Sequence, residues 1–167
     1  MGANEQGADA TQNRWITIPR TLCFIFNGDD LLLMKRAPHR RIFPNQYNGV
    51  GGHIERNEDP YTGAIREMRE ETGLNVYDVE LRGIHNIDAG AESGIMVFVF
   101  TATSDTREFT QDEREGTLHW VSKAEAMTLD LVEDLPYVLP RILTDNLLYF
   151  AHVSYDNDDQ IRIQFTP

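Results

Sequence analysis

The chain has 167 residues, 41% hydrophobic and 25% charged, a composition that suits one globular domain with a single sizeable core. Its 27 acidic against 15 basic side chains leave a formal net charge of -12, which argues against non-specific nucleic-acid binding because a polyanion is repelled. There is no run of about 18 apolar residues to cross a bilayer as a helix, and hence no expected membrane partner. The only cysteine, Cys23, cannot form an intramolecular disulfide and agrees with a reducing, cytoplasmic setting.

The first 13 residues are small and polar and lack the basic start and apolar stretch of a signal peptide. Residues 1–14 are therefore expected to form a flexible tail before one domain over residues 15–167. Residues 15–26 are rich in Ile, Thr, Phe and Trp, and Asn27-Gly28-Asp29-Asp30 separates them from the apolar residues 31–34. This reads as two strands joined by a tight turn, with Cys23 a buried thiol in the first. Residues 35–41 (KRAPHRR) place four Lys or Arg side chains and one His in an otherwise acidic chain. Such a loop is either merely solvated or functional, and its position beside a site decides which.

Asp59 as N-cap, Pro60 at the first helical position and Gly73 as the stop predict a helix. Its apolar residues Ala64, Ile65 and Met68, with Leu74 beyond, suit packing on a sheet by one side. Residues 77–87 and 94–103 read as an antiparallel strand pair around a polar loop, and residues 117–121 as a further strand before a helical turn that Ser122 can cap. Residues 134–148 are predicted helical despite Pro140. Residues 149–155 and 160–164 read as a hairpin around Asp156-Asn157-Asp158-Asp159, a turn rather than a calcium loop, because the glycine and terminal glutamate of such a loop are missing.

Within the first predicted helix Glu67, Glu70 and Glu71 stand at i, i+3 and i+4, so the three carboxylates project from one face. Like charges at this spacing repel and raise one another's pKa, a conflict that a hard divalent cation relieves. Mg2+ is the natural candidate, because it takes oxygen ligands and bridges to phosphates. By itself the helix could equally be a solvated acidic face neutralised by Arg66 and Arg69.

The flanking residues decide between the two. Gly52, five residues, Glu58, seven residues, then Arg66-Glu67-Met68-Arg69-Glu70-Glu71-Thr72-Gly73-Leu74 resembles the Nudix box of the MutT-like hydrolases at every fixed position. The resemblance spans nearly the whole chain and implies an α/β fold, an α/β/α sandwich with a mixed β-sheet. It implies Mg2+-dependent hydrolysis, with Mn2+ as a substitute, of a small-molecule nucleotide. Glu70 and Glu71 would be metal ligands and Glu67 a ligand or the base. Gly51 and Gly52 let backbone approach the metal, and a carbonyl there, that of Gly52 by choice, would be a further ligand. Arg66 would orient the carboxylates through a bidentate pair with Glu58. Residues 112–116 resemble the acidic loop that supplies another glutamate, Glu115 by first choice and Glu113 behind it.

Lys35 and Arg36, helped by Arg40 or Arg41, are the expected phosphate partners. Residues 47–53 (YNGVGGH) resemble the Trp-Asn-Gly-Phe-Gly-Gly-Lys stretch of the oxidised-purine triphosphatase branch, where the asparagine bonds the purine. Asn48 is then either a base contact or simply a turn residue before Gly49. His53 replaces the lysine. Residues 131–140 (LVEDLPYVLP) resemble the segment that supplies two aspartates to the purine, with Asp134 and Leu135 in one alignment and Glu133 and Asp134 in the other. Val132 stands where that branch has a stacking tryptophan, leaving Phe43, Tyr47 or Tyr137 to stack. The leading expectation is hydrolysis of modified purine nucleoside triphosphates, 8-oxo-dGTP-like. The rivals are a Nudix hydrolase of a nucleotide sugar, dinucleoside polyphosphate or RNA 5′ end, and a non-catalytic nucleotide-binding module.

Overall fold

A computed structural model describes Gly7 and residues 14–166; apart from Gly7 and Arg14, the expected tail lies outside the described residues. Its centre is β1 (Ile16–Asn27), whose residues from Leu22 to Ile25 are all buried. Successive side chains of a strand point to opposite faces. Leu22 and Phe24 accordingly enter a cluster with Val99, Val132, Leu135 and Leu139, while Cys23 and Ile25 enter another with Ala64, Met68 and Phe100. A strand covered on both faces reads as an unbroken apolar run, as this one does. Burial also pushes the Cys23 thiol up to about 12.

The strands β2 (Asp30–Arg36), β3 (Tyr47–Asn48), β4 (Tyr77–Ile87), β5 (Ser93–Thr103), β6 (Gly116–Ser122), β7 (Tyr149–Tyr155) and β8 (Ile161–Thr166) join it. The sheet order is β3-β2-β1-β5-β4-β7-β8, with β6 pairing β2. It is mixed, because β1–β5 and β4–β7 are parallel and the other pairs antiparallel, β4–β5 and β7–β8 among them as expected. The two-residue β3 carries no strand pattern of its own and was not anticipated.

Helix α1 (Pro60–Thr72) covers one face with Ala64 and Met68, and α3 (Leu135–Thr144) covers the other with Leu135, Val138, Leu139 and Ile142. This is the expected α/β/α arrangement. The short α2 (Lys123–Ala126) follows β6 and is capped by Ser122. The α1 signals are realised: Asp59 Oδ1 accepts the N–H groups of Tyr61 at 2.9 Å and Thr62 at 3.0 Å, and Gly73 closes the helix with φ 70°.

The last helix departs from expectation. It spans Pro140 but ends at Thr144 rather than at residue 148, because Asp145 turns extended (φ -141°, ψ 172°) and its Oδ1 accepts the N–H of Leu147 at 3.0 Å. That local turn competes with another helical turn and feeds the chain into β7. The 156–159 turn is closed by Asp156, whose Oδ1 accepts from Asp158 and Gln160 at 2.9 and 3.0 Å, which is turn chemistry and not cation binding. Among the described residues no helix is long and apolar enough to cross a membrane.

Candidate active site

The loop before α1 is zipped onto β1. Cys23 N–H donates to Val50 O at 2.7 Å and Thr21 N–H to Gly52 O at 2.8 Å. The fit leaves no room for side chains: a Cβ on Gly51 (φ 138°) would stand 2.4 Å from the Thr21 carbonyl oxygen, and one on Gly52 would stand 2.6 Å from Oε1 of Glu67. Glycine at these positions lets backbone lie directly against the carboxylates of α1.

Arg66 organises that helix face. Its Nε and Nη2 grip Glu58 in a bidentate pair at 3.0 and 2.6 Å, Nη1 donates to Glu67 at 2.9 Å and Glu70 at 3.1 Å, and Nη2 also donates to the carbonyl of His53 at 3.0 Å. Every guanidinium nitrogen is used. The pairing holds Glu58 below the usual carboxylate range and raises Arg66. This is the expected orienting pair, extended to two carboxylates of the triad.

Glu71 is held differently. Its Oε2 accepts the N–H of Gly51 at 2.8 Å. Burial, aided by the charges of Glu67 and Glu115 and opposed by that N–H and by Arg36, pushes its carboxyl up to about 7. A buried carboxylate facing two others fits a hard divalent cation, which would reverse the destabilisation. Among the described residues no three carboxylate, imidazole or thiol groups are already drawn together as a ligand set. Glu67 and Glu70 lean on Arg66, and the carbonyl of Gly52 already accepts the N–H of Thr21.

A cavity of about 690 Å³ opens beside Gly51, Gly52, Glu71 and Glu115, within the range that holds a nucleotide-sized ligand. The basic loop faces it through His39, Arg40 and Arg41, which puts this loop beside the candidate site. Arg40 pairs with Glu115 at 3.0 Å, and Ala37 N–H donates to Glu115 O at 3.0 Å. Glu115 lies on the cavity, whereas Glu113 is exposed and does not line it.

Strand alternation splits the expected phosphate pair. Met34 and Arg36 line the cavity; Lys35 points to the other side, with Nζ 5.7 Å from the centre of the Tyr47 ring. Of the expected phosphate pair, Arg36 is thus on the cavity and Lys35 is not. Tyr47 stacks edge-on with His119 outside the cavity, Tyr137 is exposed, and of the three stacking candidates only Phe43 lines the cavity.

Farther along the sheet the lining turns apolar with Ile87, Ile95, Val97 and Val153, and Glu133 and Asp134 join from the segment before α3. Tyr155 donates its hydroxyl hydrogen to Glu133, and burial, with the charge of Glu133, raises Asp134. Leu135 is in the core, so the alignment that pairs Glu133 with Asp134 is the one that faces the cavity. Asn48 lines the cavity from strand β3, not from a turn: its Oδ1 accepts the N–H of Gly49 at 2.8 Å, leaving the amide NH2 as a donor.

Sequence reasoning missed Arg20. It lines the cavity, and its Nε is buried with no hydrogen-bond partner. The signal was available: in the i, i+2 series Ile16, Ile18, Arg20, Leu22, Phe24, a lone basic residue interrupts an apolar face.

Residues 17–142 match the family profile described as the NUDIX domain. The chain is 32% identical over 135 residues to an uncharacterised Nudix hydrolase, YvcI, of Bacillus subtilis, covering 78% of this chain and 83% of that protein. It is 32% identical over 119 residues to the nucleoside triphosphatase NudI of an Enterobacter species, covering 65% of this chain and 84% of that one. The crystal structure of the MutT protein from Bacillus halodurans aligns with a TM-score of 0.77 at 26% identity, over 90% of this chain and 98% of that one. With an intact box laid against a nucleotide-sized cavity, the chain belongs to the Nudix family and is a MutT-like Nudix hydrolase.

Proposed function

We propose that this Nudix hydrolase cleaves purine nucleoside triphosphates, 8-oxo-dGTP-like ones among them, to nucleoside monophosphate and pyrophosphate. The observation that carries the reading is one cavity lined together by Glu71 of the acidic helix, Arg36, Glu115, Asn48, Glu133 and Asp134. NudI, named as a nucleoside triphosphatase, supports the same substrate class.

Glu67, Glu70, Glu71 and Glu115, with a carbonyl of Gly51 or Gly52, would hold Mg2+ or Mn2+, which when bound neutralises phosphate charge and makes a water more acidic. Arg36, with Arg40 and Arg41, binds the phosphate chain. Arg66 keeps the carboxylates in place. A glutamate of the triad, Glu67 by choice, takes the proton of the attacking water. The new bond joins water oxygen to phosphorus, and the bond to pyrophosphate breaks in line. Glu133, Asp134 and the amide of Asn48 hold the purine edge.

The test is a substrate panel scored by rate and product. Pyrophosphate release from dGTP or 8-oxo-dGTP with Mg2+ is expected. Turnover confined to nucleotide sugars, dinucleoside polyphosphates or RNA 5′ ends would replace this reading, and absence of any turnover would favour a nucleotide-binding module.

A further inference from the structure

Arg20 stands where an apolar side chain would be expected. It shares a face of β1 with Leu22, its strand partner is Val97, and that face packs toward α3 and Val132. Among the described residues no carboxylate lies within ion-pairing distance of it, and its buried Nε has no acceptor. A buried guanidinium N–H without an acceptor is costly, and the cost is removed when a ligand brings one. Glu133 and Asp134, which accept, line the same cavity.

We propose that Arg20 determines base specificity, reading the O6 and N7 acceptors of an unmodified guanine while Glu133 and Asp134 accept from its N1–H and 2-amino group. The inference rests on the purine triphosphate reading and narrows it. Guanine presents two acceptors side by side on one edge, the geometry a guanidinium fork meets with two hydrogen bonds. Adenine offers a donor at N6 opposite the fork. Oxidation at C8 turns N7 into a donor, and methylation at N7 both blocks it and adds positive charge beside the arginine. The order expected is therefore guanine first, 8-oxoguanine below it and N7-methylguanine last. All three guanine nucleotides carry the same triphosphate, so the comparison varies the base edge alone.

The test compares GTP, 7-deaza-GTP, which lacks only the N7 acceptor, and N7-methyl-GTP, in the wild type and in Arg20→Ala and Arg20→Lys. The wild type should show kcat/KM about tenfold higher for GTP than for 7-deaza-GTP, the order of one base-edge contact. N7-methyl-GTP should fall lower still. The GTP to 7-deaza-GTP ratio should fall to about one in Arg20→Ala and to an intermediate value in Arg20→Lys, which keeps charge but loses the fork. A ratio of one in the wild type, or a tenfold ratio that survives in Arg20→Ala, overturns the proposal. If no purine triphosphate is turned over, the functional reading fails separately. The same ratio is then read as Kd by calorimetry without divalent cation, where equal affinities for GTP and 7-deaza-GTP overturn this one. Should Arg20→Ala not fold, the wild-type ratio and Arg20→Lys decide.

Discussion

Two parts of the candidate site, the Arg66 network behind the cavity and the Arg20 wall within it, are built on opposite terms. Around Arg66 every donor has an acceptor before any substrate arrives, with five hydrogen bonds drawing Glu58, Glu67, Glu70 and the His53 carbonyl together. Arg20 lies beside Leu22 and Val97 on an apolar strand face, near enough to Arg36 for the two charges to repel, and its guanidinium Nε is unmatched. The first is preorganised, so chemistry there needs little rearrangement. The second is completed only by a ligand, so binding energy there depends on which ligand it is. On the proposed function, rate and selectivity rest on different residues, and substitutions can separate them.

The largest effect is expected at Glu71. Glu71→Gln should lower kcat by about 10³-fold with a smaller change in KM, measured on the best substrate of the panel. The same residue sets a pH dependence in metal-free protein. Its carboxyl is raised to about 7 in the folded state, so between about pH 4.3 and 7 the unfolded chain is ionised while the folded one retains the proton. Stability from this group is therefore full below about pH 4.3 and is lost as pH rises through about 7, roughly 3 kcal/mol in all. Urea unfolding across this range should show the fall; Glu71→Gln should abolish it, and millimolar Mg2+ should offset it. A flat profile in the wild type would remove the case for a strained carboxylate.

Arg66→Lys comes next. A lysine keeps the charge but cannot hold Glu58 bidentately while reaching Glu67 and Glu70. A drop of about 10²-fold in kcat with an intact fold by circular dichroism is expected; retention of full activity would show that the network is structural decoration. The smallest effect belongs to the other side. Asp134→Asn should raise KM for the purine triphosphate about tenfold and leave kcat near wild type, because it alters an acceptor for the base and not the reacting end. A loss confined to kcat would merge the two sides that the comparison separates.

What could be read in advance follows the same division. The acidic side lies within residues 52–74, so its helix caps, its glycines and the Arg66–Glu58 pair are legible from spacing in one short stretch. The base side is assembled from β1, β4, β5, β7 and the segment before α3, and no local pattern states which residues meet there. Lys35 and Arg36 illustrate the limit: charge alone does not distinguish neighbours on a strand, whereas the face each one takes depends on pairing with β3 and β6. Arg20 stands out locally as the basic residue in an apolar i, i+2 series, but what it faces is set by its partner Val97, far away in sequence. The helix predicted to residue 148 was overextended because the competing turn at Asp145 is a side-chain preference that propensity outweighs on paper.

The double-sided strand β1 has one more consequence. Thr21 anchors the glycine loop on one face and Arg20 enters the base side on the other, one residue apart. A slip of one position against β5 would exchange these two side chains and turn Leu22 and Phe24 toward α1. The eleven consecutive parallel pairs from Ile16–Ser93 to Phe26–Thr103 therefore act as an alignment rail: the register that builds the core is also the one that keeps recognition and hydrolysis in phase.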